Sequence, residues 1–230
     1  MSPKSPAGLE LTKERKKLLF FYLEHRPDSN ETTFNEWYEN EHIPLYLQLP
    51  GINSAVRYKS IDSQGAPWLT LFTTSESDNV LQTRVVENEN EALAKLGGVS
   101  KRTYVHSATF THPTTELESL PCKYILVVTL EMKTAEAEED MNRWYDEEHM
   151  DLLSKIPGWK QGRRYKLVES NQRGTMADKP VSQYLAIHEF TNSGFASTPE
   201  FKHATSTEWR ERVMKNADRH ARVFELKNKF

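Results

Sequence analysis

The chain carries one block twice. Residues 34–59 read FNEWYENEHIPLYLQLPGINSAVRYK, and residues 141–166 read MNRWYDEEHMDLLSKIPGWKQGRRYK, an offset of 107 positions with no gap. Eleven of the 26 positions are identical: Asn35/Asn142, Trp37/Trp144, Tyr38/Tyr145, Glu41/Glu148, His42/His149, Leu45/Leu152, Pro50/Pro157, Gly51/Gly158, Arg57/Arg164, Tyr58/Tyr165 and Lys59/Lys166. Many of these are rare residue types, which excludes chance. The period is domain-sized and far too long for a solenoid unit. The chain therefore reads as a tandem duplication. A tail over 1–17 precedes a first repeat over 18–110, a linker over 111–123 and a second repeat over 124–230.

The bulk properties remove several function classes. A net charge of −3 over 230 residues offers no basic field for nucleic acid. No window of 18 apolar residues is present, so no membrane span is expected. The first residues lack the apolar stretch of a signal peptide. The basic cluster Lys13, Arg15, Lys16 and Lys17 reads as solvated. The lone cysteine, Cys122, excludes an internal disulfide and a thiolate metal cage, and a reducing cytoplasmic setting is the expectation.

Each half gives the same order of local signals. The short β-rich runs LLFFYLE (18–24) and YILVVTLE (124–131) predict first strands. The repeated W-Y-E/D-x-E-H block predicts a helix, stopped by the Pro-Gly pairs at 50–51 and 157–158. NSAVRYKSI and KQGRRYKLV predict second strands; 68–73 and 183–190 predict third strands. Second helices are expected at about 78–96 and, opened by Thr198-Pro199-Glu200, near 199–215. Fourth strands are expected at 102–110 and 221–226. The order is β-α-β-β-α-β in each half, the ferredoxin-like unit. The fold class is thus α+β, two ferredoxin-like repeats in one chain. In the second half the connection between the second and third strands, LVESNQRGTMADKPVSQ, is about nine residues longer than its counterpart. Long connections of this kind are mobile or functional, and this one could cover a pocket mouth.

On an ideal helix, Phe34, Asn35, Trp37, Tyr38, Glu41, His42 and Leu45 share an arc of about 140°. The second copy puts Met141, Asn142, Trp144, Tyr145, Glu148, His149 and Leu152 on that arc. Ile43 and Met150 fall outside it. An inward His and Glu need partners. One reading is packing: His42 bonds a neighbouring strand and Glu41 pairs with an arginine such as Arg57. The other is a site. Arg57, Arg164, Lys59 and Lys166 suit ion pairs, while Tyr58 and Tyr165 alternate with them and face the other side of the strand.

A first strand, a helix carrying W-Y-x-x-E-H-x-x-L, then L-P-G and R-Y on the second strand resembles the EthD-like branch of the dimeric α/β-barrel superfamily. The resemblance spans both halves. It implies two βαββαβ units packed sheet on sheet into a barrel, here supplied by one chain rather than two. Members of that superfamily include cofactor-independent isomerases, polyketide cyclases, anthrone oxygenases and decarboxylases of aromatic-polyketide pathways; others bind haem. The resemblance implies pocket acid/base roles for His42 and His149, with Tyr38, Tyr145, Trp37 and Trp144 lining the pocket. The fusion lets one of the two pockets lose activity.

No nucleotide loop, nucleophile elbow or zinc-protease motif occurs, and Glu41-His42 point about 100° apart on a helix. No metal and no organic cofactor is therefore expected. A cofactor-free acid/base enzyme needs a group titrating near neutrality, which His supplies. His149, His42, Tyr145 and Tyr38 are the catalytic candidates, with the second half favoured. Trp144, Trp37, Asn142, Asn35, Tyr165, Tyr58, Arg164, Arg57, His188 and His106 are the candidates for substrate contact. The leading expectation is a cofactor-independent lyase, cyclase or isomerase on a hydrophobic polyketide-like, aromatic or lactone molecule in secondary metabolism. A non-catalytic binder or stress protein is one alternative and a haem-binding oxidoreductase another. The chain is expected to be a pseudo-dimer compact by itself, with further homodimerisation open.

Overall fold

The computed structural model describes residues 16–74 and 95–230. The helix expected over 78–96 lies outside the described residues except at its end, where Leu96 opens a strand instead. Lys17, placed in the tail by sequence, is the first residue of a strand.

Eight strands form one closed antiparallel barrel. They are β1 (Lys17–His25), β2 (Ile52–Ser60), β3 (Trp68–Thr74), β4 (Leu96–Thr111), β5 (Tyr124–Met132), β6 (Trp159–Gly174), β7 (Tyr184–Phe190) and β8 (Ala217–Lys229). Around the barrel the order is β1-β3-β2-β8-β5-β7-β6-β4. Each half contributes four adjacent strands, with its first strand between its fourth and third. The halves join where β2 pairs with β8 and where β4 pairs with β6. The long connection expected after residue 167 is strand as far as Gly174, paired with the start of β4 from Gly98↔Gly174 to Tyr104↔Leu167. It is not a flap. Its backbone groups are satisfied by a strand of the other half, which its local sequence could not announce.

The repeated block forms a helix in both halves, broken by one wider turn. In the first, α1 (Glu31–Trp37) is capped by Asn30, whose side chain accepts from the Thr32 and Thr33 amides. A π turn over Tyr38–His42 follows, then α2 (Ile43–Leu47). In the second, α3 (Ala135–Trp144) is capped by Thr134, and a π turn over Tyr145–His149 leads into α4 (Met150–Ser154). The Ile43 and Met150 amides donate to the Tyr38 and Tyr145 carbonyls, closing the two wide turns. The extra residue shifts the helix phase. Phe34, Tyr38, His42 and Tyr46 are buried, four apart. Leu45, expected mid-face, is 44% exposed, and Glu41 is exposed. Ile43 and Met150, expected outside, are buried, while Leu152 is only half-buried. Both helices stop at Pro-Gly, where Gly51 and Gly158 take φ of 85° and 88°, a region glycine enters without a Cβ penalty.

The single helix expected over 199–215 is two, α5 (Pro199–Ala204) and α6 (Glu208–Lys215), each capped by a threonine, Thr198 and Thr207. No described helix is long and apolar enough to cross a membrane. The barrel interior is filled by side chains from both halves, among them Phe20, Tyr22, Tyr58, Tyr104, Tyr165, Ile187 and Phe224. Eight strands leave an interior of about that capacity. Two further clusters lie between helices and the outer sheet face, one per half.

Candidate functional site

The shared geometry of the two halves begins with an arginine under the helix. Arg57 is fully buried; its guanidinium lies 4.4 Å from the Tyr38 ring centre and donates to Asn35 Oδ1 at 2.6 Å. Arg164 repeats this, 4.1 Å from the Tyr145 ring and donating to Asn142 Oδ1 at 2.5 Å. The acid completing each cluster is Glu39 (3.5 Å from Arg57) or Asp146 (3.3 Å from Arg164), not the expected Glu41. The π turns explain the exchange, since they rotate Glu41 outward. Glu148 instead accepts from the Trp144 indole at 3.2 Å and the Thr207 hydroxyl at 2.6 Å. These arginines anchor helix to sheet through ion pair and ring stacking.

Beyond this anchor the halves diverge. In the second, a cleft lies between the helices and the outer face of β5 and β7. Trp144, Tyr145, His149, His188, Arg210 and Arg219 line it, with walls from Leu126, Val128, Leu130, Leu153, Phe201 and Met214. Its enclosed space is about 20 Å³, and about 390 Å³ out to solvent. The enclosed part holds about one water as it stands. A neighbouring hollow of about 30 Å³ is lined by Asn142, Tyr145, Arg164, Tyr165 and Tyr184, so Tyr145 stands between the two.

His149 is buried and stacks on Trp144 at 4.0 Å, with Tyr145 edge-on at 5.4 Å. Its Nδ1 has no hydrogen-bond partner, and the Ala204 carbonyl contacts its ring. Burial first, then the charges of His188, Arg210 and Arg219, hold it well below the usual imidazole range. His188 is 1% exposed, and burial, then Arg164 and Arg219, push it down to about 3. Both imidazoles are therefore neutral at pH 7. The His188 Nδ1 also lacks a partner, and it lies beside Gly162; a Cβ there would come within 2.9 Å of it.

In the first half the equivalent space holds aromatic rings. His42 sits among Trp37, Tyr38 and Tyr46 at 5.1, 5.0 and 5.3 Å. Tyr46, where the second half has Leu153, stacks on Phe72 at 4.8 Å and accepts from Lys101 Nζ at 2.9 Å. Burial raises the Tyr38 phenol, which lies near Thr70 without a well-formed bond to it.

The remaining candidates are spread out. Tyr58 and Tyr165 belong to the barrel interior, across the sheet from the histidines, as their alternation with the arginines requires. There Arg163 forms a 2.5 Å ion pair with the buried Glu189, which also accepts from the Cys122 amide. His106 bonds Thr109 at 2.7 Å and meets Tyr165 edge-on at 5.6 Å; it does not line the cleft. Arg210 and Arg219 carried no sequence signal, because no motif links them to the repeated helix.

Among the described residues, no three His, Cys, Asp or Glu side chains converge as a metal site. Even out to solvent the cleft offers about 390 Å³, less than a haem fills and ample for a two-ring molecule, so haem does not fit it and no step is routed through one.

No protein-family model matches the chain, and no curated protein matches its sequence. Solved structures do match its shape. A crystal structure of an anthrone oxidase-like protein aligns with a TM-score of 0.66 at 10% identity, over 94% of this chain and 93% of the other. A chlorite dismutase variant from Candidatus Nitrospira defluvii gives 0.62 at 12%, over 95% and 94%. A monooxygenase candidate from Lactobacillus acidophilus gives 0.55 at 9%, over 94% and 96%. These likenesses place the chain in the dimeric α/β-barrel fold.

Proposed function

We propose that the chain is a fused pair of ferredoxin-like units of the EthD-like kind, whose second half performs acid/base chemistry on a small enolisable molecule without a cofactor. The observation that carries this reading is His149: neutral, buried, stacked in place, with Nδ1 unpartnered beside Tyr145. The Ala204 carbonyl takes the proton-bearing nitrogen, which leaves Nδ1 as the acceptor. His149 removes a proton from a carbon next to a carbonyl, and the C–H electron pair moves onto the carbonyl oxygen. The Tyr145 hydroxyl donates a hydrogen bond to that oxygen. The imidazolium then returns its proton at another carbon, for isomerisation, or at a leaving group, for elimination.

Burial that weakens the base also selects the substrate. A proton moves to a weak base at a useful rate only from an activated carbon, so the substrate carries a C–H flanked by a carbonyl and an aromatic ring. The apolar walls suit such a molecule. The structural neighbours' names favour a second course from the same carbanion, its oxidation by dioxygen.

Deuterium wash-in from D₂O, followed by NMR on 2-tetralone and deoxybenzoin with oxygen uptake recorded in parallel, tests both. Exchange without uptake supports isomerase or lyase chemistry; exchange with uptake supports oxygenation. A His42→Ala, His149→Ala double variant that keeps the wild-type exchange rate returns both histidines to packing.

A further inference from the structure

Two arginines of the second-half cleft, Arg210 and the exposed Arg219, have no side-chain partner among the described residues. Arg210 comes from α6 and Arg219 from β8, and both line the cleft that holds His149. Among the described residues neither side chain makes an ion pair or a hydrogen bond. Arg57, Arg163, Arg164, Arg212 and Arg222 all do. The contrast is sharpest within α6, where Arg212 is held by Asp140 at 2.9 Å while Arg210, two residues earlier, turns to the cleft. The nearby acid Glu148 is already engaged by Trp144 and Thr207.

Arg210 is half-buried and Arg219 exposed; burial and Arg219 work against the charge on Arg210, and Tyr145 and Glu211 partly offset them. Two like charges lining one cleft raise its positive potential and favour an anion between them. Guanidinium groups recognise a planar carboxylate through paired N–H donors. Apart from the two histidines, the cleft is walled mainly by aliphatic and aromatic side chains, so the anion belongs to a molecule with a hydrophobic body.

We propose that this cleft takes a small aromatic carboxylate, its anionic end between Arg210 and Arg219 and its ring toward His149. This names the substrate class for the acid/base reading and rests on it for the choice of cleft. Anion selectivity, however, is measured without turnover.

The test is calorimetric titration of the full chain with 2-naphthoate and with its neutral analogue 2-naphthamide. Naphthoate is expected to bind at least 10-fold tighter. Arg210→Gln and Arg219→Gln should each weaken naphthoate about 10-fold and leave naphthamide within about twofold. Arg212→Gln should leave both affinities unchanged, and circular dichroism confirms the fold of each variant. Equal wild-type affinities, binding of neither probe, or selectivity that survives the double Arg210→Gln, Arg219→Gln change overturns the proposal. Intact selectivity in a protein whose deuterium exchange ignores His149 overturns the acid/base reading alone.

Discussion

His188 stands in the second half where Phe72 stands in the first. His188 pairs across the strands with Gly162, and Phe72 pairs with Ala55, the residue that aligns with Gly162 in the repeat. One side of this pseudo-symmetric pair seals its space with a ring stacked on Tyr46. The other leaves a polar ring and a cleft. The exchange of Phe72 for His188 and of Tyr46 for Leu153 therefore removes two stacked rings from the second half and puts an imidazole beside the cleft.

The unequal halves should give unequal mutants. His149→Ala is expected to lower deuterium exchange into an activated ketone by about 10²–10⁴-fold. His42→Ala, in the ring-filled half, should leave the rate within about twofold. NMR exchange rates for both variants check this, and a larger loss in His42→Ala would reverse the assignment.

His188 links stability to pH. In the unfolded chain an imidazole titrates near 6.5, whereas folded His188 is pushed down to about 3. Between those values the unfolded state binds more protons, so stability is full above about pH 6.5 and falls as pH drops toward 3. His149 is shifted the same way and adds to the fall. The urea midpoint should drop between pH 7 and 4, and His188→Phe, which installs the first half's residue, should flatten that drop. Equal slopes in the two proteins would contradict a buried neutral His188.

Gly162 is a spacer. A Cβ there would lie 2.4 Å from Met150 Cε and 2.9 Å from His188 Nδ1. Gly162→Ala should cost about 1–3 kcal/mol through overpacking and displace the His188 ring. Denaturant unfolding together with the His188 imidazole NMR shifts reads both effects. The first half carries a buried Ala55 at this place, with Ile43 and Phe72 where the second half has Met150 and His188.

Arg57 tests the anchor. Its guanidinium lies 4.3 Å from the Trp68 ring and 4.4 Å from Tyr38. Arg57→Ala removes that stacking, the bond to Asn35 and buried volume, and should destabilise the fold by about 2–4 kcal/mol. Arg57→Lys should recover little, because an ammonium neither stacks nor forks. Urea midpoints with unchanged slope would report this as stability rather than unfolding of one half.

Part of the candidate cleft was legible in the sequence. Trp144, Tyr145 and His149 do line one cleft, and Asn142 meets Arg164, as the repeated spacing suggests. Glu41, Leu45 and Leu152 misled the helical wheel because a π turn inserts a residue that no propensity marks. The second half was favoured on its long connection, yet that segment continues a barrel strand to Gly174. What distinguishes the half is His188 in place of Phe72 and Leu153 in place of Tyr46.

By itself the sequence determined the repeat, the order of the eight strands, the repeated helix and its Pro-Gly stops. Caps, turns and alternating burial act over a few residues and survive in the local code. Only the tertiary structure decided how the eight strands close, that the second-half helix faces an open cleft, and that Arg210 and Arg219 line that cleft with His149. Those outcomes depend on packing between segments distant along the chain. There the volume of one side chain fixes the space left for another, and no local pattern records it.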